Sequence, residues 1–253
     1  MNNQLVYTTL ALVLGIGLVA GCSKSPQQHL DFKVSFGDAP LSCDSLIVDQ
    51  QTSWQLSQFY LYLSHIEVKG QDQKWRQVSL ADNKYQSQQV AMLGTECGGQ
   101  EPAHWQLKFA ENADINQATA IRFSLGVPFE LNHQNPLTQA SPLNVSNMFW
   151  VWQTGHKFVR FELENQDQQW VFHLGSTGCS SASALRSPSA ACKYPNLYTV
   201  TLPLETTDKV KKVNLDIAPW FAEVKIAEQT SCQSAQDNQY CQQIFNNLAK
   251  SVL

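Results

Sequence analysis

Short stretches in which apolar and polar residues alternate constrain this chain more than any other feature. Leu30, Phe32, Val34 and Phe36 alternate with Asp31, Lys33 and Ser35. Trp105, Leu107 and Phe109 alternate with Gln106 and Lys108, and Val213, Leu215 and Ile217 with Asn214 and Asp216. Trp170, Phe172 and Leu174 alternate with Val171 and His173. A period of two places one set of side chains on a core face and the other on the opposite face, which is the pattern of a half-buried strand. Phe59–Val68, Ile121–Val127, Phe158–Leu163 and Tyr198–Leu204 add further strand candidates. Many short strands separated by Gly, Pro, Asn and Asp predict an all-β architecture, a β-sandwich of immunoglobulin-like or barrel-like form with long loops. Helical spacing occurs only near the end, where Ile244, Phe245, Leu248 and Val252 follow Asp237-Asn238, and predicts a short C-terminal amphipathic helix.

The first residues read differently. Leu10–Ala20 is apolar or small throughout and is shorter than the roughly 20 residues a spanning helix needs. It runs into Leu18-Val19-Ala20-Gly21-Cys22. An apolar stretch before a small-residue site predicts a secretory signal over residues 1–21. The Leu-Val-Ala-Gly-Cys string resembles a bacterial lipobox, which implies lipidation of Cys22, although no Lys or Arg precedes Lys24. Residues 22–29 then form a tether and residues 30–253 a single domain. The expected place is the cell envelope, anchored by lipid at the periplasmic face of the outer membrane.

Six of the seven cysteines lie beyond Cys22. An even number behind an export signal points to disulfides. The short spacings favour Cys179–Cys192 and Cys232–Cys241, which leaves Cys43–Cys97. A thiolate metal site is the rival, disfavoured by the oxidising compartment and by the lack of a Cys-x-x-Cys. The net charge of −4 and the scattered Lys and Arg offer no basic stripe for nucleic acid. No Gly-x-Ser-x-Gly, His-Glu-x-x-His or phosphate-loop motif occurs, so a binding protein is expected rather than an enzyme.

Candidate donors are scattered along the middle of the chain. His133 opens a long segment rich in Pro and Asn, and Met148, Trp150 and Trp152 lie within it. His173 projects from its strand opposite Phe172 and Leu174. Imidazoles with a nearby thioether suit copper, because imidazole ligates it well and a thioether selects the cuprous ion.

Longer strings sharpen this reading. Leu125-Gly126-Val127-Pro128-Phe129-Glu130-Leu131-Asn132-His133, Pro142-Leu143-Asn144, Met148-Phe149-Trp150-Val151-Trp152-Gln153-Thr154-Gly155-His156-Lys157-Phe158, Phe172 to Cys179, and Cys192 with Pro195-Asn196 together resemble the MbnP-like family of periplasmic copper proteins. The tail from Ser231 to Phe245 is similar too. The resemblance implies a β-sandwich that holds copper through histidines and a kynurenine made from tryptophan. It also implies a dihaem partner similar to bacterial cytochrome c peroxidases, which oxidises that tryptophan. An intact indole nitrogen only donates a hydrogen. Opening the pyrrole ring leaves an aniline-type amine whose lone pair can ligate a metal. Carried onto this sequence, His133 and His173 are the imidazole ligands and Trp150 or Trp152 the kynurenine precursor. His65 stands where the family often has Asp or Asn, and is either a third ligand or a strand-surface residue. His156 stands where the family often has Tyr, which leaves its role open. The competing reading is a metal-free envelope module that grips a sugar or a protein with exposed aromatics.

Overall fold

Two sheets share one hydrophobic core. The computed structural model describes residues 28–250 apart from positions 50, 88, 208 and 209. The predicted signal, Cys22 and Val252 therefore lie outside the described residues. In chain order the strands are β1 (His29–Phe36), β2 (Ala39–Pro40), β3 (Leu46–Asp49), β4 (Thr52–Lys69), β5 (Trp75–Gln77), β6 (Val90–Glu96), β7 (Gln106–Lys108), β8 (Ala120–Leu125), β9 (Val159–Glu164), β10 (Gln169–Leu174), β11 (Tyr198–Pro203), β12 (Glu205–Thr207) and β13 (Val210–Asp216). Two α-helices are described, α1 (Phe129–Asn132) and α2 (Gln239–Lys250).

The smaller sheet runs β12-β13-β1-β2, with β7 also on β1. The larger runs β10-β9-β4-β8-β11, and β3, β5 and β6 pair with parts of the long β4. β1 and β13 pair in parallel, so the two ends of the domain meet in one sheet. The alternating residues explain the layering. Phe32 and Phe36 of β1 reach across to Phe123 of β8 and Phe161 of β9, with ring centroids 6.2 Å and 6.4 Å apart. The architecture is the β-sandwich that alternation predicts, open rather than a closed barrel. β6 escapes an alternation test, because all of its residues but the last are buried. A strand covered on both faces shows no period.

β4 carries a bulge between Ser64 and Glu67 in its pairing with β8, and His65 there takes φ +48°. Such bulges re-aim a side chain out of the ladder. The C-terminal helix buries Cys241, Ile244, Phe245 and Leu248. Asn238 Oδ1 accepts the backbone N–H groups of Tyr240 and Cys241 at its start, in the manner of an N-cap. All three disulfides are as the spacings suggest: Cys43–Cys97, Cys179–Cys192 and Cys232–Cys241. The last ties the start of α2 to a segment running beside β10, where Cys232 and Phe172 bridge. Among the described residues no helix is long and apolar enough to cross a membrane.

Candidate metal centre

On the second face of the larger sheet Glu164 and Gln169 are exposed, but the end that carries Arg160, Glu162 and His173 is not open to solvent. The segment of residues 142–157 lies over it. Tyr62 of β4 donates its hydroxyl hydrogen to Pro142 O at 2.9 Å. Arg160 and Lys157 both donate to Asn147 O, at 3.2 Å and 3.0 Å. Trp150 lies against the His173 ring at 6.3 Å between centroids. Strand residues that would face water thus form a covered polar layer.

Glu162 is the centre of that layer, and only 3% of it is exposed. It accepts Gln58 Nε2–H at 2.6 Å, Arg160 Nε–H at 2.6 Å and His173 Nε2–H at 2.6 Å. Burial alone would raise the carboxyl, but the hydrogen bonds from His173 and Arg160 outweigh it and hold the group at about 2. Burial lowers the His173 imidazole, and the bond to Glu162 opposes that shift. A neutral imidazole carries one N–H. Given to Glu162 from Nε2, it leaves a lone pair on Nδ1, and Nδ1 is buried with no hydrogen-bond partner. An anchored carboxylate that fixes the tautomer and turns the other nitrogen free is the usual support of a metal-binding histidine.

His133 sits at the far end of α1, half-covered by the Phe129 ring at 4.8 Å. Its Nδ1–H donates to Trp152 O at 3.4 Å, and Trp152 Nε1–H returns a bond to His133 O at 2.6 Å. Nε2 then carries the lone pair and receives Asn132 Nδ2–H at 3.2 Å. Burial lowers this imidazole too, opposed by the Trp152 carbonyl. The same Nε2 lies 3.5 Å from Cys192 Sγ.

Asn132 joins these pieces. Its Oδ1 accepts the His156 backbone N–H at 2.7 Å while its Nδ2 reaches His133 and Thr154 O. Gly155 makes this approach possible. It adopts φ +78°, and a Cβ there would lie 2.5 Å from Asn132 O and Oδ1. Gly175 plays the equivalent part for Trp150, since a Cβ there would lie 2.4 Å from the indole ring.

The structure therefore sorts the sequence candidates. His173 makes a ring contact with Trp150, and His133 is hydrogen-bonded to Trp152, both under one loop. His156 is fully buried against Tyr62 and Phe149. Its Nε2 faces Leu143 O at 3.0 Å, and its Nδ1 faces Asn132 O at 3.2 Å and Oδ1 at 3.3 Å. Both ring nitrogens face oxygen atoms of the chain, the single N–H of a neutral ring serving one side, and His156 belongs to no three-donor set among the described residues, so it reads as a structural member of the loop. His65 is exposed at the β4 bulge and meets Ser124 Oγ at 3.3 Å. It belongs to no three-donor set among the described residues, where the set that does form is His133, Cys179 and Cys192, with donor atoms within 4.8 Å of one another. Met148 is fully buried in the core.

Sequence reasoning passed over Glu162, Arg160, Gln58 and Asn132. A signal for the first two existed: Arg160 and Glu162 alternate with Phe161 and Leu163, so both project onto the face from which His173 also projects.

The profile of the MbnP family matches residues 25–234, which includes both sheets and every residue of the layer just described. Among solved structures the chain is similar to MbnP from Methylosinus trichosporium, at 23% identity and a TM-score of 0.71, over 87% of each chain. No curated protein matches. With the profile covering most of its length, this chain belongs to the MbnP family.

Proposed function

We propose that the protein is a copper-binding protein of the cell envelope, with no catalytic role of its own. The observation that carries this reading is His173: one nitrogen anchored on a buried carboxylate, the other buried, neutral and unpartnered. A buried polar atom without a partner costs about 1–3 kcal/mol, so its retention in a covered layer calls for a ligand. Imidazole suits copper. The second imidazole of the proposed set is His133, whose Nε2 carries the lone pair.

Trp150 is the proposed kynurenine precursor. It packs on the His173 ring, and Gly175 provides the room for it. Trp152 has a structural task that its intact indole performs, the 2.6 Å bond to His133 O. Conversion would place an aniline-type amine beside His173. The oxidant for this step is the dihaem peroxidase-like partner that the family resemblance implies, and Cys22 is the proposed lipid attachment. Copper when bound provides a soft cation for these donors, and the protein's own contribution is to hold two neutral imidazoles under a water-excluding loop.

The test is peptide mass spectrometry and copper analysis on protein purified from its native host. The expected result is one oxygen gained and one carbon lost at Trp150, with copper retained. Intact Trp150 and Trp152 with no copper retained after loading would overturn the reading and favour a metal-free module using these aromatics.

A further inference from the structure

The His133–Cys179–Cys192 cluster is a distinct feature that the reading above does not use as a whole. It shares only His133 with that reading and does not rest on it. The two sulfurs are joined as a disulfide, so neither is a metal donor while the bond is intact. The geometry around them is nonetheless that of a site. In a tetrahedral centre with metal–nitrogen bonds near 2.0–2.1 Å and metal–sulfur bonds near 2.3 Å, a nitrogen and a sulfur lie about 3.5 Å apart and two sulfurs about 3.8 Å. His133 Nε2 and Cys192 Sγ already stand at 3.5 Å. All three donor atoms fall within 4.8 Å. The His133 nitrogen that faces the sulfur is the one holding the lone pair, because Nδ1–H is given to Trp152 O, and a metal there would displace the 3.2 Å bond from Asn132 Nδ2–H.

The surroundings permit the sulfurs to part. The connection between the two cysteines, only 13 positions apart, holds no strand or helix and is largely exposed from Ala182 to Ser187. It is fastened to the covering loop at Gln153, whose N–H donates to Ala184 O at 3.1 Å. The Thr177–Tyr194 bridge and the Lys193 N–H bond to Gly178 O hold the two flanks together beside the cysteines, so lengthening the sulfur–sulfur distance from a bond to about 3.8 Å is met by side-chain rotation and by the exposed connection, outside the two sheets. Cys179 is half-buried between exposed Gly178 and Ser180, which gives a nucleophile access to the bond. Cys232 and Cys241, in contrast, are fully buried.

We propose that Cys179–Cys192 is a reducible cover over an alternative metal site, and that its reduction creates a His133–Cys179–Cys192 centre for cuprous ion that takes the single Nε2 lone pair of His133 away from the His173 set. Two thiolates and an imidazole select a soft cation. The reductant is a dithiol. It gives two electrons and two protons to the Cys179–Cys192 bond, which becomes two thiols as the dithiol closes to a disulfide. Cuprous ion then displaces the two thiol protons.

The experiment uses the full mature chain, reduced with a water-soluble phosphine that is then removed under anaerobic conditions. Cuprous ion is added as its acetonitrile complex, and iodoacetamide labelling of each cysteine is followed by peptide mass spectrometry. The expected result is that copper slows alkylation of Cys179 and Cys192 at least tenfold and produces a thiolate-to-copper charge-transfer absorption. His133→Ala should weaken that protection about tenfold, and the Cys179→Ser/Cys192→Ser variant should lose the absorption. Unchanged alkylation of Cys179 and Cys192, or protection that falls on Cys43 and Cys97 instead, would overturn the proposal. His173→Ala separates the two readings: it should abolish copper retention by the oxidised protein and leave the protection of Cys179 and Cys192 intact.

Discussion

Glu162→Gln is the substitution that bears most directly on the copper reading, because it changes charge with almost no change of shape. The amide that replaces the carboxylate keeps an oxygen to accept His173 Nε2–H and Arg160 Nε–H, which both bond Oε1 now. Its new NH2 group would face Gln58 Nε2 and Arg160 Nη2, which both donate to Oε2; Gln58 can turn over, since its own Oε1 is buried without a partner, while Arg160 gives up its 3.3 Å bond to Oε2 and keeps the one to Oε1. The ring of His173 thus stays in place while a charge-assisted bond becomes a neutral one of about half the strength. Loss of such a supporting group typically costs about 10- to 100-fold in metal affinity, or about 1.4–2.8 kcal/mol. Competition against a cuprous chelator at pH 7 reads this directly. The acid limb of stability provides a second reading on metal-free protein. The Glu162 carboxyl titrates at about 2 in the fold against 4.5 in a free chain. Its folded value is the lower one, so the stabilisation is present above pH 4.5 and is lost as pH falls toward 2. The gap is worth about 3 kcal/mol at most, and Glu162→Gln should remove that portion of the acid lability while costing about 1–3 kcal/mol at neutral pH. Copper affinity within twofold of the unsubstituted protein, in a variant that has lost this acid limb, would refute the claim that Glu162 sets the donor nitrogen of His173.

Three other substitutions probe separate parts of the layer. Gly175→Ala drives a methyl into the Trp150 ring and should displace it, with a cost of about 1–3 kcal/mol in thermal unfolding and loss of the kynurenine mass change at Trp150. His65→Ala should leave copper affinity within about twofold, since that ring is exposed and bonds only weakly to Ser124, and exposed substitutions shift stability by about 0.5 kcal/mol or less; chelator competition and a melting curve check both. Replacing Cys232 and Cys241 by Ser should destabilise the fold by about 2–4 kcal/mol in urea unfolding, because both are fully buried and the bond anchors α2 to β10.

How much of this was legible in the sequence follows from what kind of signal each part leaves. β1, β10 and β13 show themselves because a half-buried strand writes its two faces in alternate letters. β6 does not, because burial on both faces erases the period. His133, His173, Trp150 and Trp152 are singled out as candidates because the resemblance places them in order along the chain. Their partners are not, since Glu162 meets His173 through the ladder of two strands and Cys192 meets His133 across 59 positions. His156 shows the opposite failure. It is a good ligand by residue type, and only its contacts show that its nitrogens face the oxygens of Asn132 and Leu143.

The covering loop is what makes one face of the sandwich a candidate site. An antiparallel sheet can leave one face in water, and then His173 and Glu162 would be an ordinary surface pair worth about 0–1 kcal/mol. Residues 142–157 remove the water. They are held down by bonds that end on backbone carbonyls, Pro142 O and Asn147 O, and by Asn132, which fastens Thr154 and His156 to the end of α1. Beneath that cover a neutral imidazole with an unpartnered nitrogen is costly. The loop and the site are therefore mutually dependent: the cover creates the need for a ligand at His173, and a bound ligand stabilises the covered state in proportion to its affinity. Metal-free protein should accordingly exchange the amide hydrogens of Trp150, Lys157 and Phe158, which bond to Gly155 O, Met148 O and Leu174 O, faster than copper-loaded protein, while those of Phe32 and Tyr62 in the sheets are unaffected. Equal protection of the loop amides in both forms would show that the cover stands without the metal and that the cost at His173 is met in another way.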